Sequence, residues 1–301
     1  MGIFTILVFA FSLGIGALSK GLGINVGFLL MFSPRTAAVL TKLITKEKPK
    51  DMSELYIVTN FRKSKKIYLL ALAFGVIQDL TAGIAGMIVL GSKYDAGSYI
   101  LSKDSRDSIS MIPLMLAESV FLIAIFLGEE YGWRAFLTPK LKKLMPDWAA
   151  YIVSGIIWGM WHKPVLDEGQ NFGKELPFFP FSNYALMCVG CILTGIVFTW
   201  LTEKSGSVFP AAFAHAALDL FTSLAAIFVP ADLLEEGSNI VVFSTAVLIV
   251  TPLIIIIAYA LFGKCLRATI CRGSAPAPRW GETARTSKLA LKKRFPPDPL
   301  P

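Results

Sequence analysis

Three short clusters combine residue types that can do chemistry. Glu129-Glu130 precedes Arg134, Trp161 precedes His162, and His215 is followed one helical turn later by Asp219; these clusters hold both histidines of the chain. Carboxylates and imidazoles within reach of one another can take a proton from water, stabilise a developing negative charge or ligate a metal. Glu130 and Arg134 stand at i, i+4 and can pair on one helix face, whereas Glu129 is turned about 100° around the helix and needs another partner. His215 and Asp219 share a face at the same spacing. Gly128 and Gly132 flank the acidic pair, and small residues there admit a neighbouring helix.

The elements that must position these clusters are membrane spans. The 301 residues are 54% apolar with a mean hydropathy of +0.62, which places the chain among integral membrane proteins. We expect an all-α polytopic protein with about eight transmembrane helices, near 3–19, 22–41, 67–91, 110–138, 148–166, 182–202, 207–229 and 240–263. Counting about 1.5 Å of rise per residue from the basic loops puts Glu129 about 15 Å deep, His162 about 21 Å and His215 about 12 Å, so the three can meet in a crevice of the bundle. Ionisable groups so placed are costly unless paired or in service, which makes them a functional site by default. Asp79 is a further intramembrane acid with no motif around it, and is read as structural.

Basic residues concentrate in 35–66, in 140–143, at Lys204 and in 264–294, against Lys20, Lys93, Lys103, Arg106 and Lys174 in the intervening loops. Cytoplasmic loops hold the excess of Lys and Arg, so both termini are expected inside, in a multi-pass topology. The net charge of +8 is therefore a topology signal, with membrane lipid rather than nucleic acid as the attracted partner. The N-terminal apolar run lacks a basic preceding region and a small-residue cleavage site, and reads as a retained first helix. Cys188 and Cys191, one turn apart in a span, read as small packing residues; Cys265 and Cys271 lie beside a basic stretch, and none suggests a disulfide or zinc framework.

No internal repeat is present. The organisation expected is N-terminal helices and a basic loop over 1–109, a catalytic core over 110–228, a last helix over 229–263 and a disordered basic, Pro-rich tail over 264–301. The chain has no His-Glu-x-x-His, Gly-x-Ser-x-Gly or Gly-x-Gly-Asp motif, which disfavours site-2-type zinc proteases, familiar serine hydrolases and presenilin-like aspartyl proteases.

Glu129-Glu130-x-x-x-Arg134, an aromatic-x-x-x-His162 and His215-x-x-x-Asp219, in that order on separate spans, resemble the CAAX protease and bacteriocin-processing family, also called Abi. The likeness covers roughly 110–228, including Trp161-His162-x-Pro164 and Lys204-x-Gly206-Ser207-x-x-Pro210. It implies an eight-helix intramembrane endopeptidase opening to the cytoplasm, whose best-known eukaryotic members trim prenylated Cys-a-a-X tails. By motif position, Glu129 with His162 would activate water, His215 with Asp219 would stabilise the oxyanion, and Glu130 would pair with Arg134 to support the site. The substrate implied is a peptide or protein, with a prenylated C-terminal tail as one candidate. Metal-free glutamate catalysis without a cofactor is the favoured reading; an older zinc reading would use Glu129, His162 and His215 as ligands.

Two positions depart from the family's common pattern. Trp158 replaces Phe, a change expected to affect only packing. Asp219 replaces Asn, and an ionised Asp cannot donate to an oxyanion, so it is either protonated or serves to orient His215. Two readings of another class stay open: a noncatalytic immunity or partner-binding membrane protein, and a proton-coupled transporter using these groups as a relay.

Overall fold

A computed structural model describes residues 1–23, 27–47, 56–57, 59, 61–220, 225–235, 252–253 and 256–257. Among the described residues the regular structure is helical and contains no strand. A helix satisfies its backbone within one segment, as hydrocarbon surroundings require. The elements are α1 (Gly2–Leu22), α2 (Gly27–Ile44), α3 (Phe61–Leu90), α4 (Ala96–Ile100), α5 (Lys103–Ser110), α6 (Ile112–Glu130), a π-helical segment (Tyr131–Leu137), α7 (Thr138–Leu141), α8 (Asp147–Trp161), α9 (Lys163–Leu166), α10 (Phe181–Ser205), α11 (Phe209–Leu220) and α12 (Ala231–Glu235). Met1–Ile257 forms one compact unit. The tail expected over 264–301 lies outside the described residues, as does nearly all of the span expected near 240–263.

The ends of these helices are written in local chemistry. α1 and α10 stop at Gly23 and Gly206, with φ of 63° and 66°, a left-handed conformation that glycine adopts without a Cβ penalty. Asp95 caps α4 by accepting from the Gly97 and Ser98 amides, and Ser102 caps α5 by accepting from that of Ser105. Such caps satisfy amides that have no partner in the first turn.

Gly2–Leu22, Phe61–Ile88 and Phe181–Ser205 are long and apolar enough to cross a membrane, and Lys103–Glu118 with Val120–Leu141 makes a fourth if the two are one span bent by 58°. Among the described residues this is fewer than the eight helices expected. α8 has 15 residues, short of the roughly 20 needed to cross. The stretch expected as one helix over 148–166 is broken at His162, because Pro164 at the start of α9 cannot donate to the preceding turn. Ile6, Ile88, Val120 and Phe121 are strongly exposed, the pattern of a bundle facing lipid.

Glycines set the closest helix contacts. A Cβ on Gly132 would lie 2.4 to 2.8 Å from Pro34 of α2, and one on Gly128 would press on Met31 and Phe32, so the flanking glycines admit α2 as their spacing implies. Gly155 and Gly159 of α8 meet Ile192 and Cys188 of α10, and Gly75 of α3 meets Ala217 of α11. Cys188 thus serves as a small packing residue.

Ion pairs mark the two ends of the bundle. At one, Lys20 of α1 pairs with Glu168 at 2.8 Å and Lys163 with Asp167 at 2.8 Å. At the other, Lys140 pairs with Glu47 at 2.6 Å, and Lys142 with Glu203 and Asp147 at 2.5 and 2.9 Å. The Lys140 ammonium holds the Glu47 carboxyl below the usual carboxylate range. We call these the Lys20 end and the Lys142 end.

Candidate active site

Glu129 and Glu130 are the last two residues of α6, where the helix widens into the π segment. A π segment redirects the side chains that follow, and such bulges are frequent at functional sites. Both carboxylates are buried, and their environments differ. Glu129 Oε1 accepts from the Trp158 indole N–H at 2.6 Å and from that of Trp133 at 3.3 Å. With both indoles on one oxygen, Oε2 is the atom left to meet a water or a substrate.

Glu130 lies between two cationic or potentially cationic groups. Its Oε2 is 3.0 Å from Arg134 Nε, and its Oε1 is 2.8 Å from His215 Nδ1. Arg134 is fully enclosed, and its guanidinium lies 4.2 Å from the centre of the Trp158 ring. The pairing with Arg134 agrees with the sequence reading. The bond to His215 was not anticipated, and it corrects the role weighed for Asp219. His215 Nδ1 donates to Glu130, while Asp219 Oδ1 is 4.0 Å from His215 Nε2, beyond hydrogen-bond length. Glu130, not Asp219, fixes the imidazole and turns Nε2 away from Arg134.

His162 terminates α8, and its Nδ1 lies 2.9 Å from the carbonyl of Trp158. A carbonyl only accepts, so Nδ1 carries the hydrogen and Nε2 of the neutral ring carries the lone pair. The Trp161 ring meets the imidazole edge-on at 4.7 Å. Trp161 is itself pinned from both sides, by its indole N–H donating to Ser33 Oγ at 3.0 Å and by its carbonyl accepting from Ser12 at 2.6 Å. The first two helices therefore hold the break that carries His162.

Trp158 joins the three clusters. Its N–H reaches Glu129, its carbonyl holds His162, its ring centre is 5.6 Å from that of His215, and its face covers Arg134. The expectation that Trp in place of Phe changes only packing is therefore corrected: Phe has no N–H to give Glu129. A signal was available, since an indole buried in an apolar span needs an acceptor.

Glu129, His162, His215 and Asp219 all line one cavity of about 390 Å³, together with Phe28, Leu30 and Met31 of α2, Gln170 and Asn171 after α9, and the first half of α10. Glu130 and Arg134 stand behind that lining. Gln170 and Asn171 were missed because nothing in the local sequence distinguishes them from loop polar residues. The cavity lies entirely toward the Lys20 end. With that geometry two expectations are incompatible: if both termini are cytoplasmic, a crevice on this end cannot open to the cytoplasm.

The ligand set expected for zinc is not the one that converges. Donor atoms of Glu129, Glu130 and His215 lie within 4.8 Å of one another, without His162. Glu130 is already engaged by Arg134 and His215, so a cation bound there would sit beside a guanidinium.

Residues 111–221 match the model of a protein family described as Type II CAAX prenyl endopeptidase Rce1-like. Over 233 residues the chain is 25% identical to a CAAX prenyl protease 2 of Methanococcus maripaludis, covering 73% of this chain and 82% of the relative. The resemblance to CAAX proteases read from the motifs is thus shown, and it lies on the segment that contributes Glu129, His162 and His215.

Proposed function

We propose that this protein is a CAAX-type intramembrane protease that hydrolyses a peptide bond inside the cavity with a water activated by Glu129. The observation that carries the proposal is that Glu129, His162 and His215 line one cavity, although they come from three separate helices. Glu129 Oε2 takes a proton from the water as general base while His162 Nε2 accepts a hydrogen bond from it, and as the tetrahedral adduct collapses and the C–N bond breaks Glu129 returns that proton to the leaving amine nitrogen. His215 Nε2 faces the carbonyl oxygen of the scissile bond and, when protonated, donates to it as negative charge develops. Asp219 lies next to that nitrogen at the cavity surface and tunes the charge there. Glu130 and Arg134 hold the His215 ring and the end of α6 in place. No metal enters this mechanism; the zinc alternative would draw on Glu129 and His215 with a third donor.

Prenylated C-terminal tails are the first substrates to try, because the archaeal relative is a CAAX prenyl protease. The decisive experiment uses purified protein in detergent, where both ends of the bundle are reachable, with prenylated and bare peptides and with or without a chelator. Cleavage by the wild type that Glu129→Ala and His162→Ala abolish, and that chelation leaves intact, is the expected result. Cleavage that survives Glu129→Ala overturns the assignment, and chelator sensitivity replaces the metal-free mechanism with a zinc one.

A further inference from the structure

We propose that Thr194 is a further catalytic residue of this site, and that its hydroxyl donates a hydrogen bond, alongside His215 Nε2, to the carbonyl oxygen of the scissile bond as that oxygen becomes negatively charged. The proposal rests on the peptidase reading above and supplies a donor that an ionised Asp219 cannot be.

The position of Thr194 follows from the stripe that α10 turns to the cavity. Met187, Gly190, Cys191 and Thr194 border it, and steps of three and four residues keep them on one helix face. Phe198, four residues further on, continues that face, and its ring centre is 5.5 Å from that of His215 and 6.1 Å from that of Trp158. Thr194 is therefore one helical turn, about 5.4 Å of rise, from the ring that packs on the His215 imidazole, and it is the last residue of α10 to reach the cavity. Its neighbour Gly195 faces Arg134, and a Cβ there would lie 3.8 Å from the guanidinium nitrogens. Thr194 thus stands at the floor of the cavity, beside the groups that hold Glu130 and His215.

Its hydroxyl is uncommitted. A buried threonine or serine inside a helix can satisfy its hydroxyl on the carbonyl one turn earlier. Further along α10, Thr199 donates in this way to Gly195 at 2.7 Å, Thr202 to Phe198 at 2.9 Å and Ser205 to Leu201 at 2.8 Å. Thr194 is only 2% exposed, yet its Oγ1 makes no such bond and has no hydrogen-bond partner among the described residues. Among those residues it is the buried side chain that combines a hydroxyl without a partner with a place on the cavity wall. A buried hydroxyl left unpaired is costly, and the cavity is the side from which a partner can come.

The chemistry of the cavity says which partner. Its other buried donors are engaged: the Trp158 indole gives to Glu129, that of Trp161 to Ser33, and His162 Nδ1 to the Trp158 carbonyl. The Cys191 thiol is a weak donor, and Gln170 and Asn171 are exposed residues of the loop after α9. Asp219 Oδ1 lies 4.0 Å from His215 Nε2, but a carboxylate only accepts. His215 alone would leave the developing charge with one side-chain donor, whereas fixed donors aimed at that oxygen are what lower the barrier to acyl transfer. Thr194 supplies the second. As the water oxygen bonds to the carbonyl carbon, an electron pair of the C=O bond moves onto its oxygen, which accepts from His215 Nε2–H and Thr194 Oγ1–H. Neither proton is transferred, and the pair returns to re-form C=O as the C–N bond breaks.

The test compares the wild type with Thr194→Val, which exchanges the hydroxyl for a methyl of similar size, and with Thr194→Ser, which keeps the hydroxyl. Each is assayed in detergent on the peptide that the wild type cleaves, and by thermal unfolding without peptide. We expect kcat of Thr194→Val to fall by about 10²-fold, the loss that follows removal of one oxyanion donor, with KM little changed. Thr194→Ser should recover most of kcat, and Thr194→Val should melt at or above the wild-type temperature, because no hydrogen bond of the fold is lost. A Thr194→Val protein whose kcat stays within about tenfold of the wild type overturns the proposal, and so does a Thr194→Ser protein as slow as Thr194→Val. A lowered melting temperature in Thr194→Val overturns it as well, because the hydroxyl would then be holding the fold. Any of these results leaves Glu129-dependent cleavage standing, whereas a wild type that cleaves nothing defeats the peptidase reading and this assignment with it.

Discussion

Among the described residues two pairs of adjacent polar residues are buried in this bundle, and they have opposite surroundings. Glu129-Glu130 at the end of α6 is met by two indoles, an imidazole and a guanidinium from α8, α11 and the π segment. Gln78-Asp79 in α3 is also fully enclosed, yet the side-chain nitrogen and oxygens of Gln78 and both carboxyl oxygens of Asp79 have no hydrogen-bond partner among the described residues. Burial alone therefore does not make a site. What separates the two is convergence, since several elements have spent side chains on orienting one pair and, among the described residues, none on the other. Each variant below either sharpens this contrast or breaks it.

The largest effect is expected from Glu129→Gln, which keeps the shape and one acceptor for Trp158 but removes the base. Turnover should fall by about 10²- to 10⁴-fold, the contribution of a positioned general base, with the protein still folded. A Glu129→Gln variant that cleaves at the wild-type rate would show that the convergent pair is only a structural ion cluster. Arg134→Ala comes next and acts on stability. It leaves Glu130 buried beside His215 alone, and breaking a buried pair on one side costs about 3–5 kcal/mol. Loss of folded protein in detergent should be read by size-exclusion chromatography and thermal unfolding, and an unchanged melting temperature would contradict the pairing.

Trp158→Phe probes the link between clusters. It deletes the 2.6 Å bond to Glu129 while keeping the ring under Arg134, and a hydrogen bond to a charged group contributes about 1.5–3 kcal/mol. We expect kcat to drop by about tenfold or more with little change in KM, since the bond orients the base rather than the substrate. A variant with unchanged kcat would return Trp158 to a packing role.

How much of this was legible beforehand depends on the range of the interaction. Glu130 with Arg134 could be read because i, i+4 spacing brings side chains together on any helix. The membrane class and the long apolar helices α1, α3 and α10 followed from composition along the chain. The partner of His215 could not be read, because Glu130 lies 85 residues away and the nearer Asp219 satisfied the same local rule. Among the described residues the span expected over 148–166 is not one helix: hydropathy continues through His162 to Leu166, whereas the backbone breaks there to turn the imidazole inward. Such a break is tolerated at membrane depth because it borders a cavity rather than lipid. The direction of that cavity was equally hidden, since it is decided by which half of each helix recedes, a property no single segment carries.

The smallest effect on activity is expected where the contrast is sharpest, at Asp79. Gly75 packs against Ala217 and Leu218 of α11, so Asp79, one turn further along the same face of α3, lies close to the helix that carries His215. Proximity to the site would by itself suggest a role. With no hydrogen-bond partner for either oxygen among the described residues, however, the carboxyl contributes a desolvation cost, about 1–3 kcal/mol for a buried unsatisfied polar group. Asp79→Ala should therefore raise the melting temperature, or leave it unchanged where the lost volume offsets that gain, and should leave kcat/KM within about twofold. A large loss of cleavage in a well-folded Asp79→Ala protein would erase the distinction between the two pairs. It would place Asp79 in the proton economy of the site, reached through Asp219, and would mean that a lone buried acid can serve catalysis without the convergent partners that mark Glu129.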